Sequence, residues 1–192
     1  MTNTVQFKAE YAYKLRQFID YKRARIGGIY VHPSPNGEGV NIVATDGVIL
    51  GVFNDKSGRC DEPVFLELKK EFLTLCKNHP LVIVEGDDAK LVNDHSSVVA
   101  VQPCAVLDRQ YPDYVSLFRS DFTQHATHCI SASKFAKLKN AGDTIALHGC
   151  RAGGNILVKT NDVNFAGIIM WVRPSVHMTP TVPSFIKEDS GL

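Results

Sequence analysis

A threefold internal repeat constrains this chain most, because a repeated unit fixes an architecture before any single strand or helix is assigned. Three segments share one order of elements: a short strand, a helix, then three strands. Residues 4–53 carry apolar β-rich runs at 5–7, 26–32, 40–44 and 48–53 around a helical stretch at 10–21. Residues 63–106 repeat the plan with strands at 64–66, 81–85, 89–93 and 98–102 and a helix at 69–78. Residues 127–172 do so again, with strands at 128–130, 144–148, 155–159 and 165–172 and a helix at 132–140.

The turn residues agree with this division. Asp46-Gly47 lies between two β-rich runs and predicts a tight hairpin with both residues at positive φ. Gly86-Asp87-Asp88 and the glycines between 149 and 154 fall at matching places in the other copies. Ser131 is placed to cap the third helix, and Gly142 follows its end. Each helix has one apolar stripe: Leu15, Phe18, Ile19 and the Lys22 stem in the first, Phe72, Leu75 and Cys76 in the second, Phe135 and Leu138 in the third. The expected fold is therefore α+β, three β-α-β-β-β units with helices on one face and antiparallel sheets on the other. Residues 1–118 are expected to form a complete two-unit domain, 122–173 a half domain, and 174–192 an extended or disordered tail with three prolines.

At 192 residues, 44% hydrophobic and 21% charged, the chain can bury a substantial core. It shows neither a basic leader followed by an apolar run nor an apolar stretch long enough to span a bilayer, so a cytoplasmic protein without membrane contact is expected. Five cysteines without a CxxC spacing point to reduced thiols.

The net charge of +1 hides an uneven layout. Residues 8–25, 67–79 and 132–140 together hold twelve Lys/Arg against four Asp/Glu, a surplus of eight, which leaves −7 for the rest of the chain. A basic helical layer on an acidic body suits sequence-independent attraction to a phosphate backbone. The candidates are Lys14, Arg16, Lys22, Arg23, Arg25, Lys69, Lys70, Lys77, Lys134, Lys137 and Lys139. Taken singly, each is better explained as a solvated helix face, and the pattern is better evidence than any member of it.

Three motifs carry a resemblance. Ile42-Val43-Ala44-Thr45-Asp46-Gly47-Val48-Ile49-Leu50 is similar to the Ala-Thr-Asp-Gly-His-Arg-Leu segment of bacterial DNA polymerase III β subunits, the sliding clamps. Arg109-Gln110-Tyr111-Pro112-Asp113-Tyr114 resembles the Arg-Phe-Pro-Asp-Tyr that closes a clamp's second domain. Gly167-Ile168-Ile169-Met170-Trp171-Val172-Arg173 resembles the clamp's terminal Val-Val-Met-Pro-Met-Arg. The resemblance implies a DNA-clamp fold, duplex DNA bound without sequence preference, and polymerases or other partners docking short peptides in an apolar groove. Carried over, that groove comprises Thr45, Gly47, Leu50, Pro112, Ile168, Ile169, Met170 and Val172.

The chain also departs from the pattern. Val48 and Ile49 stand where the family has His-Arg, Trp171 stands where it has Pro, and the tail has no counterpart. Brevity and divergence fit a phage or mobile-element source. Three units do not make whole domains, and an unpaired third unit is expected to expose Phe135 and Leu138. A homo-oligomer in which the third units of two chains pair is therefore expected. The alternative is a protein-interaction module or decoy that keeps the fold without encircling DNA.

Catalytic signatures are absent from the sequence: no Gly-rich phosphate loop, GxSxG elbow or HExxH helix, and no base placed beside Asp87, Asp88 or Asp113. His125, His128, Cys129, His148 and Cys150 are the residues nearest to a metal-ligand set, and ordinary strand and loop positions explain them better. Neither an enzyme nor a bound metal or cofactor is expected.

Overall fold

The computed structural model describes residues 4–35, 37–107, 111–119, 122–123, 130–150 and 154–171. The first unit comprises β1 (Thr4–Lys8), α1 (Ala9–Leu15), β2 (Ile29–Pro33), β3 (Val40–Thr45) and β4 (Ile49–Asp55). The second comprises β5 (Val64–Glu67), α2 (Lys70–Leu75), β6 (Leu81–Glu85), β7 (Asp88–Val92) and β8 (Val98–Pro103). After β9 (Ala105–Leu107), a 3-10 turn at Val115–Arg119 and β10 (Phe122–Thr123) come α3 (Ala132–Phe135), β11 (Ile145–Cys150), β12 (Asn155–Thr160) and β13 (Phe165–Met170). Residues 128 and 129, expected in the third unit's first strand, lie outside the described residues, as do His125 and the tail from Val172 onward.

Each helix is shorter than expected and tightens into a 3-10 turn, at Arg16–Phe18, Cys76–Asn78 and Ala136–Asn140. Helices of four to seven residues have no independent stability in water, so their buried stripes hold them in place. Leu15, Phe18, Phe72, Cys76 and Leu138 are buried, whereas Leu75 and Phe135 remain about half exposed. Leu138 is thus covered within the chain, which corrects the expectation that an unpaired third unit would expose it. Ser131 occupies the N-cap position, but its side chain turns to Ser133 Oγ at 2.9 Å and makes no cap hydrogen bond. No helix among the described residues is long and apolar enough to cross a membrane.

The strands form a four-stranded sheet, β1-β6-β7-β8, and a nine-stranded sheet, β10-β11-β12-β13-β4-β3-β2-β5-β9. Units one and two exchange their first strands: β1 pairs with β6, and β5 pairs with β2, both antiparallel. The third unit joins the first by antiparallel pairing of β13 with β4, from Phe165↔Phe53 to Ile169↔Ile49. Gly51 faces Gly167 across that seam, and a Cβ on Gly51 would lie 3.0–3.2 Å from Leu15, Phe18 and Phe165.

Two apolar layers result from the period-2 alternation of the strands. Phe7, Leu15, Phe18, Phe53, Leu73, Leu91, Leu138 and Ile169 pack between helices and sheets. On the opposite face of the larger sheet, Ile26, Val43, Leu50, Phe65 and Ile168 are covered by Tyr111 and Tyr114. Tyr111 stacks on Tyr30, with ring centroids 4.5 Å apart. His32 Nδ1–H donates to the Pro33 carbonyl at 2.7 Å, leaving Nε2 to accept the Tyr114 hydroxyl proton at 2.6 Å. These two contacts anchor the segment that carries the second sequence motif.

Candidate functional site

The β3–β4 hairpin is the centre of the site. Its loop differs from the expected two-residue turn: only Gly47 adopts positive φ, at 88°, and Asp46 instead uses its carboxylate. Asp46 Oδ1 accepts hydrogen bonds from the N–H groups of Val48 at 2.9 Å and Ile49 at 3.0 Å, an Asx-type arrangement that shapes the loop without left-handed backbone at Asp46. Thr45 Oγ1 donates to the Ile49 carbonyl at 2.8 Å and accepts from Gly47 N–H at 3.0 Å.

The other carboxylate oxygen reaches the third unit. Lys134 and Lys137 both donate to Asp46 Oδ2, at 2.5 and 2.7 Å, while Arg23 Nη1 donates to the Asp46 carbonyl at 3.2 Å. The Asp46 side chain is 3% exposed and those of the two lysines 27%. Burial opposes ionisation of Asp46, but hydrogen bonds from Lys134, Lys137 and the backbone of Ile49 and Val48 outweigh it and hold the carboxyl far below its ordinary range. The hairpin is therefore tied to α3 by charge and to β13 by a main-chain bond from Met170 N–H to the Val48 carbonyl at 2.8 Å.

Between these ties lies an apolar pocket of about 60 Å³, lined by Thr45, Gly47, Val48, Ile49, Leu50, Leu117, Asn155, Ile168 and Met170. At roughly 30 Å³ per water, it admits the end of one aliphatic side chain. Five of the eight predicted groove residues, Thr45, Gly47, Leu50, Ile168 and Met170, line it. Pro112 is exposed and absent from the lining. Ile169 is fully buried on the opposite face of β13, where the strand's alternation must place it. Val172 lies outside the described residues. Leu117 and Asn155 are additions that no sequence motif marks. A larger cleft of about 810 Å³, between the 21–27 loop and the end of β8, is lined by charges of both signs, Lys22 and Lys69 with Glu67 and Asp87.

α1 packs against α2 and the turn that follows it, and a cleft of about 590 Å³ is lined jointly by Lys77 after α2, Glu10, Tyr13 and Lys14 of α1, and Lys139 and Asn140 after α3. The eleven candidate cations divide there by their partners. Lys14 is held by Glu10 at 2.6 Å and Asp162 at 3.1 Å, Arg23 by Asp20 at 3.4 Å, and Lys134 and Lys137 by Asp46. The Arg16 guanidinium lies 3.6 Å over the Tyr13 ring. Lys22, Arg25, Lys69, Lys70, Lys77 and Lys139 are exposed, with no carboxylate partner among the described residues.

Among the described residues, no group of three or more His, Cys, Asp or Glu converges as a metal site. His148 and Cys150 lie two apart on β11, and His125, His128 and Cys129 are outside the described residues. Cys60, Cys76, Cys104 and Cys150 are free and buried.

No family model matches the chain, and no curated protein matches it in sequence. Solved structures do. The DNA polymerase III subunit beta of Borrelia burgdorferi, in complex with a natural product, superposes with a TM-score of 0.67 at 12% identity, over 88% of this chain and 64% of that one. The DNA polymerase sliding clamp of Pseudomonas aeruginosa gives 0.65 at 11% identity over 90% and 67% of the two chains. The Helicobacter pylori beta clamp bound to a DNA ligase peptide gives 0.64 at 12% identity over 90% and 66%. The chain thus spans about two thirds of the length of each. At 11–12% identity these superpositions show the fold alone, and the chain has the fold of the DNA polymerase III beta subunit sliding clamps.

Proposed function

We propose that this protein is a non-catalytic, cytoplasmic DNA-tethering or processivity factor that acts as a homo-oligomer, binds duplex DNA without sequence preference and docks partner peptides beside the β3–β4 hairpin. The observation that supports the reading is a set of exposed cations, Lys22, Arg25, Lys69, Lys70, Lys77 and Lys139, in or near the helical segments of a chain with the clamp fold. Such cations attract phosphates through release of condensed counterions, which gives affinity without base readout. Peptide docking is supported by the apolar pocket at Leu50, Ile168 and Met170 and by the ligase peptide bound to the Helicobacter pylori clamp. A half-exposed methionine at the rim can repack around more than one aliphatic side chain.

Retention on DNA tests the first half. Retention on closed circular duplex that is lost on linearisation supports encirclement, whereas salt-sensitive binding indifferent to DNA ends contradicts it. A second reading, an interaction module or decoy that binds peptides without surrounding DNA, is favoured by one observation: four of the eleven candidate cations are already engaged by carboxylates within the chain. Peptide binding without any retention on circular DNA selects that reading.

A further inference from the structure

The Asp46 carboxylate has two sets of partners, and each set belongs to a different surface. Oδ1 accepts from the N–H groups of Val48 and Ile49, which line the apolar pocket with Thr45, Gly47 and Leu50. Oδ2 accepts from Lys134 and Lys137, which belong to the helical segment 132–140, with three lysines and no acidic residue. Its third lysine, Lys139, is exposed, with no carboxylate partner among the described residues. One buried group therefore joins the wall of the pocket to a stretch of unopposed positive charge.

The main chain of Asp46 is fixed separately. Its N–H donates to the Ile49 carbonyl at 3.2 Å, and its carbonyl accepts from Arg23 Nη1 at 3.2 Å. The side chain is thus the part that can change partners while the hairpin stays in place. A phosphate that draws Lys134 and Lys137 away leaves the carboxylate buried without a counter-charge, which is costly. The carboxylate regains solvation by turning outward, and in turning it gives up the Val48 and Ile49 amides.

We infer that Asp46 couples the two surfaces negatively: duplex DNA engaged through Lys134 and Lys137 loosens the pocket beside Met170, and a peptide seated in that pocket holds the two lysines back from DNA. The inference rests on the DNA-tethering and peptide-docking reading and adds its regulation. Because both ligands bias the same side chain in opposite senses, the factor by which duplex weakens peptide binding equals the factor by which peptide weakens duplex binding.

Fluorescence anisotropy of a labelled DNA ligase peptide, of the kind bound by the Helicobacter pylori clamp, tests it in the presence and absence of a saturating short linear duplex at low salt. The duplex is expected to weaken peptide binding to the wild type about fivefold or more. Duplex and peptide affinities that are independent of each other overturn the coupling and leave the tethering reading intact, whereas a wild type that binds neither ligand removes both. Asp46→Asn, which deprives the lysines of their buried anion, is expected to bind duplex more tightly, with a slope of log affinity against log salt steeper by up to about 1.8, or about 0.9 for each of two phosphates. An unchanged slope overturns the inference. The triple variant Asp46→Asn/Lys134→Gln/Lys137→Gln buries no unpaired charge, so it avoids the folding defect of the lysine changes alone. The duplex is expected to leave its peptide affinity unaltered, and a coupling that persists there counts against Asp46. Hydrogen exchange on the wild type needs no variant: the Val48 and Ile49 amides are expected to lose protection when duplex is added without peptide, and unchanged protection overturns the proposed route.

Discussion

Asp46 organises two units at once, because one carboxylate shapes a hairpin and binds two lysines from another unit. Asp46→Asn keeps the loop's acceptor oxygen but removes the charge facing Lys134 and Lys137. Loss of a largely buried, partnered charge is expected to cost about 2–3 kcal/mol, moderated because both lysines can still reach water. Urea unfolding of the two proteins measures the difference. Acid provides a second check. The folded carboxyl titrates below its ordinary value of 3.8, so its contribution is complete above that pH and fades as pH falls below it. The stability difference between wild type and Asp46→Asn should therefore shrink below about pH 4. Charge counting assigns Lys134 and Lys137 to a DNA-facing layer, since nothing local reveals an acceptor 88 and 91 residues away. Ile169 packs with the core on the face of β13 opposite Ile168, a division that strand alternation favours, although the adjacent Ile49 and Leu50 at the start of β4 both line the pocket. For Met170, half exposed at the pocket rim, Met170→Lys should weaken peptide binding about tenfold or more with little effect on stability. Fluorescence anisotropy of a labelled clamp-binding peptide measures it, and an unchanged affinity would move the docking site elsewhere.

At the scale of elements, the seam between β4 and β13 depends on the absence of side chains. Gly51 and Gly167 face each other, leaving room for the Phe165 ring, which packs against Phe53 at 5.0 Å between centroids. Gly167→Val would push a branched side chain toward the Leu50 carbonyl and that ring, at an expected cost of about 1–3 kcal/mol in thermal or urea unfolding. The order of elements in the first two units was legible because each repeats the same switch between period 3.6 and period 2, whereas β9, the 3-10 turn at Val115–Arg119 and β10 carry no such signal and the strand expected at 128–130 lies largely outside the described residues. The exchange of β1 and β5 between units was not, since hydrophobic alternation specifies which face is buried and not which strand lies alongside. The helices were found by their stripes but overextended, because apolar spacing of three or four residues does not separate α-helix from the 3-10 turns that finish all three.

For the whole molecule, the electrostatic reading yields a graded expectation. The double variant Lys69→Ala/Lys70→Ala should weaken binding to duplexes of any sequence alike, and should lower the slope of log affinity against log salt by about 0.9 for each phosphate that is no longer neutralised. Filter binding across a salt series on two unrelated duplexes checks both parts, and a sequence-dependent loss would refute a purely backbone interaction. The same substitutions at Lys134 and Lys137 should act first on stability, because those side chains hold Asp46.

The pocket beside the β3–β4 hairpin has a wall from residues 45–50 and another from Asn155, Ile168 and Met170, more than a hundred positions later. During synthesis, the early wall leaves the ribosome with Ile49 and Leu50 unpaired by β13, and the pocket proposed for docking is incomplete until Met170 has followed and the seam has closed. On the proposed reading, a nascent chain cannot recruit a partner there early, and a peptide bound beside Met170 would report a chain whose third unit has already arrived.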